Sequence, residues 1–137
     1  MARMSPNVAK KSLGLQKNGK LSQCPDMPNC VCTAHKEDKA HIAKPMTFNG
    51  SPAEAKTCLK EILAKKEGYT IVEEKDNYLR VEVVSGIFKF VDDVEFHFQP
   101  ENKEIHFRSA SRLGYWDIGA NRKRMKQLKQ LFEATGI

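Results

Sequence analysis

An aspartate within a row of phenylalanines is the most informative chemical feature of this chain. From Phe88 to Phe98, phenylalanines and a valine alternate with other residues, and Asp92 falls among the phenylalanines. This period of two is typical of a strand with one buried face, so Asp92 is expected inside the fold. A buried carboxylate needs partners, and the polar segment 108–124 supplies candidates just downstream.

The register of one predicted hairpin decides which polar residues meet. Placing Phe98 opposite Ile105 pairs strand 88–98 with strand 104–112 and puts Asp92 among hydroxyl groups. The inner-face pairs are then Phe98–Ile105, Phe96–Phe107, Val94–Ser109 and Asp92–Ser111. The outer, solvated face pairs His97–His106, Glu95–Arg108 and Val91–Arg112, with Asp93 diagonal to Arg108 and Arg112.

Two interpretations of Asp92 follow from this environment. As a functional group it would be a general base or a ligand-binding acid whose pKa is perturbed by burial. As a structural acid it would tie the sheet to the start of the last helix, and we favour this interpretation because structural networks perturb acids equally well. The predicted polar network comprises Asp92, Asp93, Ser109, Ser111, Asp117 and Asn121. The enzyme alternative centres on Asp92, Ser109, Ser111 and Arg112.

Four arginines form a second group with chemical potential. Guanidinium groups match phosphate and carboxylate geometry, and cations in the first turns of a helix are unfavourable without a compensating acid or anion. The anion-site hypothesis therefore comprises Arg108, Arg112, Arg122 and Arg124, with Tyr115 and Trp116. The alternative is ion pairing with Asp92, Asp93, Glu95 and Asp117, which the near parity of acids and arginines in this region favours.

The histidines and the known catalytic motifs give no assignable active site. His97 and His106, with Glu95, could hold a metal, but paired histidines on a strand surface are more often unliganded. No Ser-His-Asp order, HExxH or GxSxG is present, and Gly114 and Gly119 lack the lysine and hydroxyl of a phosphate loop. We therefore assign no catalytic residue, no metal and no cofactor.

Two helices and a set of strands must position these residues. Ser51, Pro52 and Glu54 make a strong helix start, Gly68 supplies the stop, and Asp117 is the expected cap of a last helix. The strand-like runs are a weak edge strand at His41–Phe48, then Tyr69–Glu74, Tyr78–Ser85, Phe88–Phe98 and Glu104–Arg112.

This pattern predicts an α+β two-layer sandwich of order β-α-β-β-β-β-α. Its antiparallel sheet of four to five strands would carry both helices on one face, because that arrangement buries every apolar stripe. The order matches the helix-grip or TATA-binding-protein-like layout.

Composition limits the classes of function. The net charge of +6 lies mostly in the first fifty residues, so nucleic acid is not the expected partner of the nearly neutral remainder. We expect a flexible basic arm over 1–23 and one domain over 24–137. Without an apolar span or a signal-like segment, the chain as given is expected to be soluble and cytoplasmic. A trimmed chain would instead fit the periplasm or the plastid lumen.

Three motifs resemble those of domain of unknown function 1499, a family of bacteria and plastid-bearing eukaryotes. They are C-P-x-x-P-N-C-V at 24–31, F-V-D-D-V-E-F at 90–96 and the arginine-rich motif at 108–124. The resemblance covers roughly residues 21–133 and implies the family's fold but no reaction. Members often carry an export or anchoring segment, and they usually have serine where this chain has Cys32.

The cysteines leave alternatives that depend on the compartment. Two prolines and three cysteines within 24–32 predict an irregular loop. In an oxidising compartment, as for many members of this family, we expect a disulfide between Cys24 and Cys30, and in a cytoplasm free thiols. The spacing of the four cysteines does not follow the pattern usual for zinc sites, although four thiols could in principle bind zinc. Cys58 is expected to pack in the core.

The function that these observations favour is that of a small non-enzymatic binding or accessory protein. Its partner would be an anionic small molecule, a lipid headgroup or another protein.

Overall fold

The computed structural model describes residues 12–86, 89–112 and 119–137. The predictions for Phe88, Tyr115, Trp116 and Asp117 lie outside these residues.

The described elements form an antiparallel sheet with two helices, which confirms the α+β class. In chain order they are β1 (Cys30–Cys32), β2 (Met46–Thr47), α1 (Pro52–Ala64), β3 (Tyr69–Lys75), β4 (Tyr78–Ser85), β5 (Phe90–Gln99), β6 (Glu104–Ser111) and α2 (Ala120–Glu133). The strand order is β1-β6-β5-β4-β3, and β2 also pairs with β6.

The described residues form six strands, which exceeds the four to five that the sequence predicts. The additional strand, β1, lies in the proline- and cysteine-rich segment for which the sequence predicts an irregular loop. A three-residue strand is too short to give an alternation signal, so only its pairing with β6 reveals it.

Helix α1 begins as its sequence predicts. The Ser51 hydroxyl accepts a hydrogen bond from the Glu54 amide at 3.1 Å. The Glu54 carboxylate in turn accepts one from the Ser51 amide at 3.3 Å, which completes the capping box. Helix α2 has Gly119 at its cap position, in a left-handed conformation with φ of 74°.

The register predicted for the β5–β6 hairpin is confirmed along the strands, from Asp92 opposite Ser111 to Phe98 opposite Ile105. The inner face of the sheet and both helices share one apolar core, because alternation places Phe96, Phe98 and Phe107 toward the helices. Phe90, at the start of β5, was expected on the buried face but is 39% exposed. Its largest members include Phe96, Phe98, Phe107, Leu59, Leu63, Met125, Leu128 and Phe132.

The outer face is not uniformly solvated, contrary to the expectation for Glu95 and Arg108. Both residues are buried, with exposed fractions of 0% and 2%. The amide of Gly14 donates to Glu95 at 2.6 Å, and Leu21 is buried against Tyr78 and neighbouring cysteines of this face. The polar pair is therefore enclosed by residues 12–23, part of the segment predicted to be a basic arm.

Within the described parts of the chain, neither helix combines the length and apolar character needed to cross a membrane.

Candidate functional site

Asp92 is bound to the last helix through Arg124. One carboxylate oxygen of Asp92 accepts a hydrogen bond from Arg124 Nη2 at 2.7 Å. The other terminal nitrogen of Arg124 donates to the Ser109 hydroxyl at 3.1 Å and to the Asn121 side-chain oxygen at 2.8 Å. Asp92 is only 5% exposed, so a carboxylate here needs a partner inside the fold, and Arg124 supplies it.

Asn121 joins this ion pair to the segment between the first two cysteines. Its side-chain oxygen accepts from the Ser109 hydroxyl at 2.5 Å, and its side-chain nitrogen donates to the Ser111 hydroxyl at 2.9 Å. The same nitrogen donates to the carbonyl oxygen of Asn29 at 3.0 Å. The sheet, α2 and the segment around Asn29 are therefore linked through one side chain that is itself buried.

Asp93, which the sequence places in the same network, lies on the outer face. Its two carboxylate oxygens accept from Arg112 at 2.7 and 2.8 Å, a two-bond arrangement that fixes the guanidinium. Arg112 also donates to Glu82 at 2.8 Å, and Arg80 approaches Asp93 at 3.3 Å. The hydrogen bonds from Arg112 to Asp93 raise the pKa of Arg112 above its ordinary value.

Glu95 and Arg108 form a second, enclosed group on that face. Their closest oxygen and nitrogen lie 3.5 Å apart, and the Tyr78 hydroxyl donates to Glu95 at 2.7 Å. Burial raises the pKa of Glu95 above its ordinary value, and the attraction of Arg108 offsets this rise only in part. Burial is also the main reason that the pKa of Tyr78 is raised. Arg108 is therefore enclosed with its own carboxylate and is not exposed to a ligand.

Arg122 differs from the other three arginines. It is exposed, and its guanidinium donates to two backbone carbonyl oxygens, at 2.8 Å to Ile42 and at 3.4 Å to Ala40. In the described part of the chain no carboxylate pairs with it. The four arginines do not form one cluster: Arg108 and Arg112 lie on the outer face, Arg124 reaches the inner face, and Arg122 binds the segment after Lys39.

Arg122 lines a cleft of about 290 Å³ that we call the loop cleft. One wall is the segment 26–30, closed by the disulfide between Cys24 and Cys30, and another is the beginning of α2. The His41 ring lies between them, 2.6 Å from the carbonyl oxygen of Met27 and 2.7 Å from the Asp38 carboxylate. The lining residues are Asp26, Met27, Pro28, Cys30, Ala40, His41, Gly119, Asn121 and Arg122.

Comparison with known proteins identifies the family of this chain. The model of the family described as "Protein of unknown function (DUF1499)" matches residues 20–132. The chain belongs to this family. All lining residues of the loop cleft fall inside the matched span. No curated protein and no solved structure matches the chain. Membership in the DUF1499 family therefore supplies no activity, and the site must be interpreted from its chemistry.

The disulfide predicted for this DUF1499 member is confirmed between Cys24 and Cys30, and Cys32 and Cys58 are free thiols. Burial is the main cause that raises the pKa of the Cys32 thiol, which disfavours the reactive thiolate. Cys58 is half-buried against the core, with its sulfur 3.5 Å from the Thr135 hydroxyl. Among described residues, no group of three or more histidine, cysteine or acidic side chains could hold a metal ion.

The histidine pair is present in the predicted register, with His97 opposite His106. The His106 ring lies 2.8 Å from the Thr33 hydroxyl and 3.4 Å from Glu104, an arrangement that resembles nucleophile, base and acid. Thr33, however, is 2% exposed, and its hydroxyl also accepts from the Phe107 amide at 2.9 Å. Thr33, His106 and Glu104 line the wall of an open groove, but the Thr33 hydroxyl is already engaged by the Phe107 backbone and the His106 ring. We therefore assign these three residues no catalytic role.

Proposed function

We propose that this protein is a non-enzymatic binding protein that holds an anionic group in the loop cleft. The group would belong to a small molecule, a lipid headgroup or a protein partner. The observation that carries the proposal is the environment of Arg122: its guanidinium contacts two carbonyl oxygens, and no carboxylate of the described residues pairs with it. A guanidinium group in a concave site suits phosphate or carboxylate.

The start of α2 supports the same proposal. Its first turn contains Arg122 and no acidic residue, although the partial positive charge of a helix N-terminus favours anions and disfavours cations. An anion bound beside Arg122 would relieve this unfavourable arrangement and would also interact with the helix dipole. The charge pattern of the helix is thus easier to understand with a ligand than without one.

The enzyme alternative receives less support from the geometry. Asp92 lies on the inner face, bound to Arg124, whereas Arg112 lies on the outer face and is bound to Asp93 and Glu82. A common substrate would have to reach both faces of the sheet. We therefore propose a structural role for the network of Asp92, Ser109, Ser111 and Asn121.

The binding proposal is tested by titrating the protein with inorganic phosphate at low ionic strength and following backbone amide shifts. We expect saturable shifts at 26–30, 40–41 and 119–122, and about fivefold weaker binding after Arg122→Gln, as for loss of one exposed ion pair. Lys126→Gln is the matched control, because Lys126 is an exposed cation of α2 outside the cleft lining. Unmoved cleft amides, or equal effects of the two substitutions, would reject the anion site.

We also propose that the element order reflects a helix-grip or TATA-binding-protein-like layout. The succession of a short strand, a helix, four antiparallel strands and a final helix supports it. An experimental structure compared strand by strand with proteins of that layout would test it, and a different order of strands would exclude it.

A further inference from the structure

Two opposite charges line the loop cleft from different elements. Asp26 is an exposed residue of the disulfide-closed segment, and Arg122 belongs to α2. In the described structure neither side chain forms an ion pair with the other or with a third residue. Among the described lining residues, the cleft therefore carries one carboxylate and one guanidinium that are not neutralised by an ion pair, beside the His41 ring.

We propose that the ligand of the loop cleft is a small zwitterion, namely a phosphate ester that carries a primary amine. This inference rests on the proposed function, because Arg122 binds the phosphate in both. Asp26 adds the second contact by accepting hydrogen bonds from the ammonium group. The cleft volume of about 290 Å³ suits a compact molecule of this kind. This volume is near the lower limit of the volumes typical of small-molecule binding sites.

Asp26 makes the cleft unsuitable for an anion alone. A carboxylate near the bound phosphate repels it, so a plain anion would gain from Arg122 and lose to Asp26. A ligand with an ammonium group converts that repulsion into attraction. The same acid thus acts against simple anions and in favour of the zwitterion, which is how charged sites commonly achieve specificity.

The segment that carries Asp26 is held in place on both sides. The disulfide joins Cys24 to Cys30, the Asn121 side chain donates to the Asn29 carbonyl at 3.0 Å, and the Ser111 amide donates to the same oxygen at 3.0 Å. The His41 ring lies 2.6 Å from the Met27 carbonyl oxygen. Because the backbone that carries Asp26 is held in this way, ligand binding requires little further ordering of that backbone.

The test compares phosphoethanolamine with ethyl phosphate, which has the same phosphate ester but no amine. Both are titrated into the intact protein at low ionic strength, with amide shifts at 26–30 and 119–122 as the readout. We expect phosphoethanolamine to bind about fivefold more tightly, as for one added exposed ion pair. Asp26→Asn should reduce this ratio to about one and leave ethyl phosphate binding equal or tighter, because a repulsive charge is removed.

Asp76→Asn is the matched control, an exposed acid in the β3–β4 turn whose replacement should leave the ratio unchanged. If ethyl phosphate binds through Arg122 but the two ligands bind equally, the zwitterion inference is wrong and the anion site stands. If Asp26→Asn still prefers phosphoethanolamine over ethyl phosphate, the zwitterion inference is likewise wrong and the anion site stands. If neither ligand moves the cleft amides, both proposals are wrong.

A second arm distinguishes a soluble ligand from a lipid headgroup. Vesicles of phosphatidylcholine with and without phosphatidylethanolamine are sedimented with the wild-type protein and with Asp26→Asn. Sedimentation that needs phosphatidylethanolamine and Asp26 assigns the zwitterion to a lipid headgroup. Binding of free phosphoethanolamine without sedimentation assigns it to a soluble metabolite.

Discussion

Replacement of Asp92 by asparagine tests the role of the acid in the phenylalanine strand. The change keeps the size of the side chain and removes its negative charge, leaving Arg124 with the neutral acceptors of Ser109 and Asn121. The side chains of Asp92 and Arg124 are only 7% and 10% exposed, so water compensates little. Removing one member of a buried pair costs about 3–5 kcal/mol, and the retained amide oxygen places this case near the lower end, at about 3 kcal/mol.

The assay is urea unfolding followed by circular dichroism. For a chain of this size, a loss of about 3 kcal/mol corresponds to a midpoint lower by roughly 10 °C in a parallel thermal scan. The double variant Asp92→Asn with Arg124→Gln should lose less than the two single losses added together, since the two side chains contact each other. Asp76→Asn, at an exposed turn, should change the free energy of unfolding by less than about 0.5 kcal/mol.

A free energy of unfolding within about 0.5 kcal/mol of the wild-type value would refute this reasoning. It would mean that the Asp92 charge is not needed by the fold, and the enzyme alternative around this acid would regain support. Strictly additive losses in the double variant would separately contradict the contact with Arg124.

Two further predictions concern the disulfide and the enclosed glutamate. Reducing the Cys24–Cys30 disulfide, or replacing both cysteines by serine, should lower the free energy of unfolding by about 2 kcal/mol, as expected for so short a closed loop. Cys58→Ser with the disulfide intact should not have this effect, and equal stability of the reduced and oxidised protein in urea would contradict the prediction. Because burial raises the pKa of Glu95 above its ordinary value of 4.5, the stability that this group contributes is complete below that ordinary value and is lost as the pH rises through the folded-state pKa. The free energy of unfolding of the wild type relative to Glu95→Gln should therefore fall as the pH rises from acidic to neutral, and a difference that rises with pH would contradict the direction.

The hairpin register could be predicted because its signal is redundant. Several phenylalanines on two adjacent strands share one face, and a shift by one residue would expose all of them. The capping box of α1 is similarly local, since Ser51 and Glu54 satisfy each other within one turn. Features of this kind depend on spacing along the chain and need no knowledge of the tertiary arrangement.

The environment of the charged residues could not be predicted in the same way. Alternation assigns Glu95 and Arg108 to the outer face but does not indicate that residues 12–23 cover it, because that segment has little apolar periodicity beyond residues such as Leu21. The one signal available in the sequence was the predicted pairing of an acid, Glu95, with an arginine, Arg108, on a face expected to be solvated. Arg80, which approaches Asp93, was missed because nothing in its own strand marks it.

The composition of the loop cleft was equally inaccessible from sequence. It brings together segments at 26–30, 40–41 and 119–122 that are distant along the chain. Arg122 was predicted as one of four anion-binding arginines, but its separation from the other three depends on how α2 packs against the segment after Lys39. Asp26 lies within the cysteine motif, and it was not predicted from the sequence as a functional residue.

The most direct measurement of the central claim is a crystal structure of the protein grown with phosphoethanolamine. We expect the phosphate within hydrogen-bonding distance of the Arg122 guanidinium and the ammonium group beside the Asp26 carboxylate. A loop cleft that holds only water at saturating phosphoethanolamine, with Arg122 still bound only to the carbonyl oxygens of Ala40 and Ile42, would contradict it.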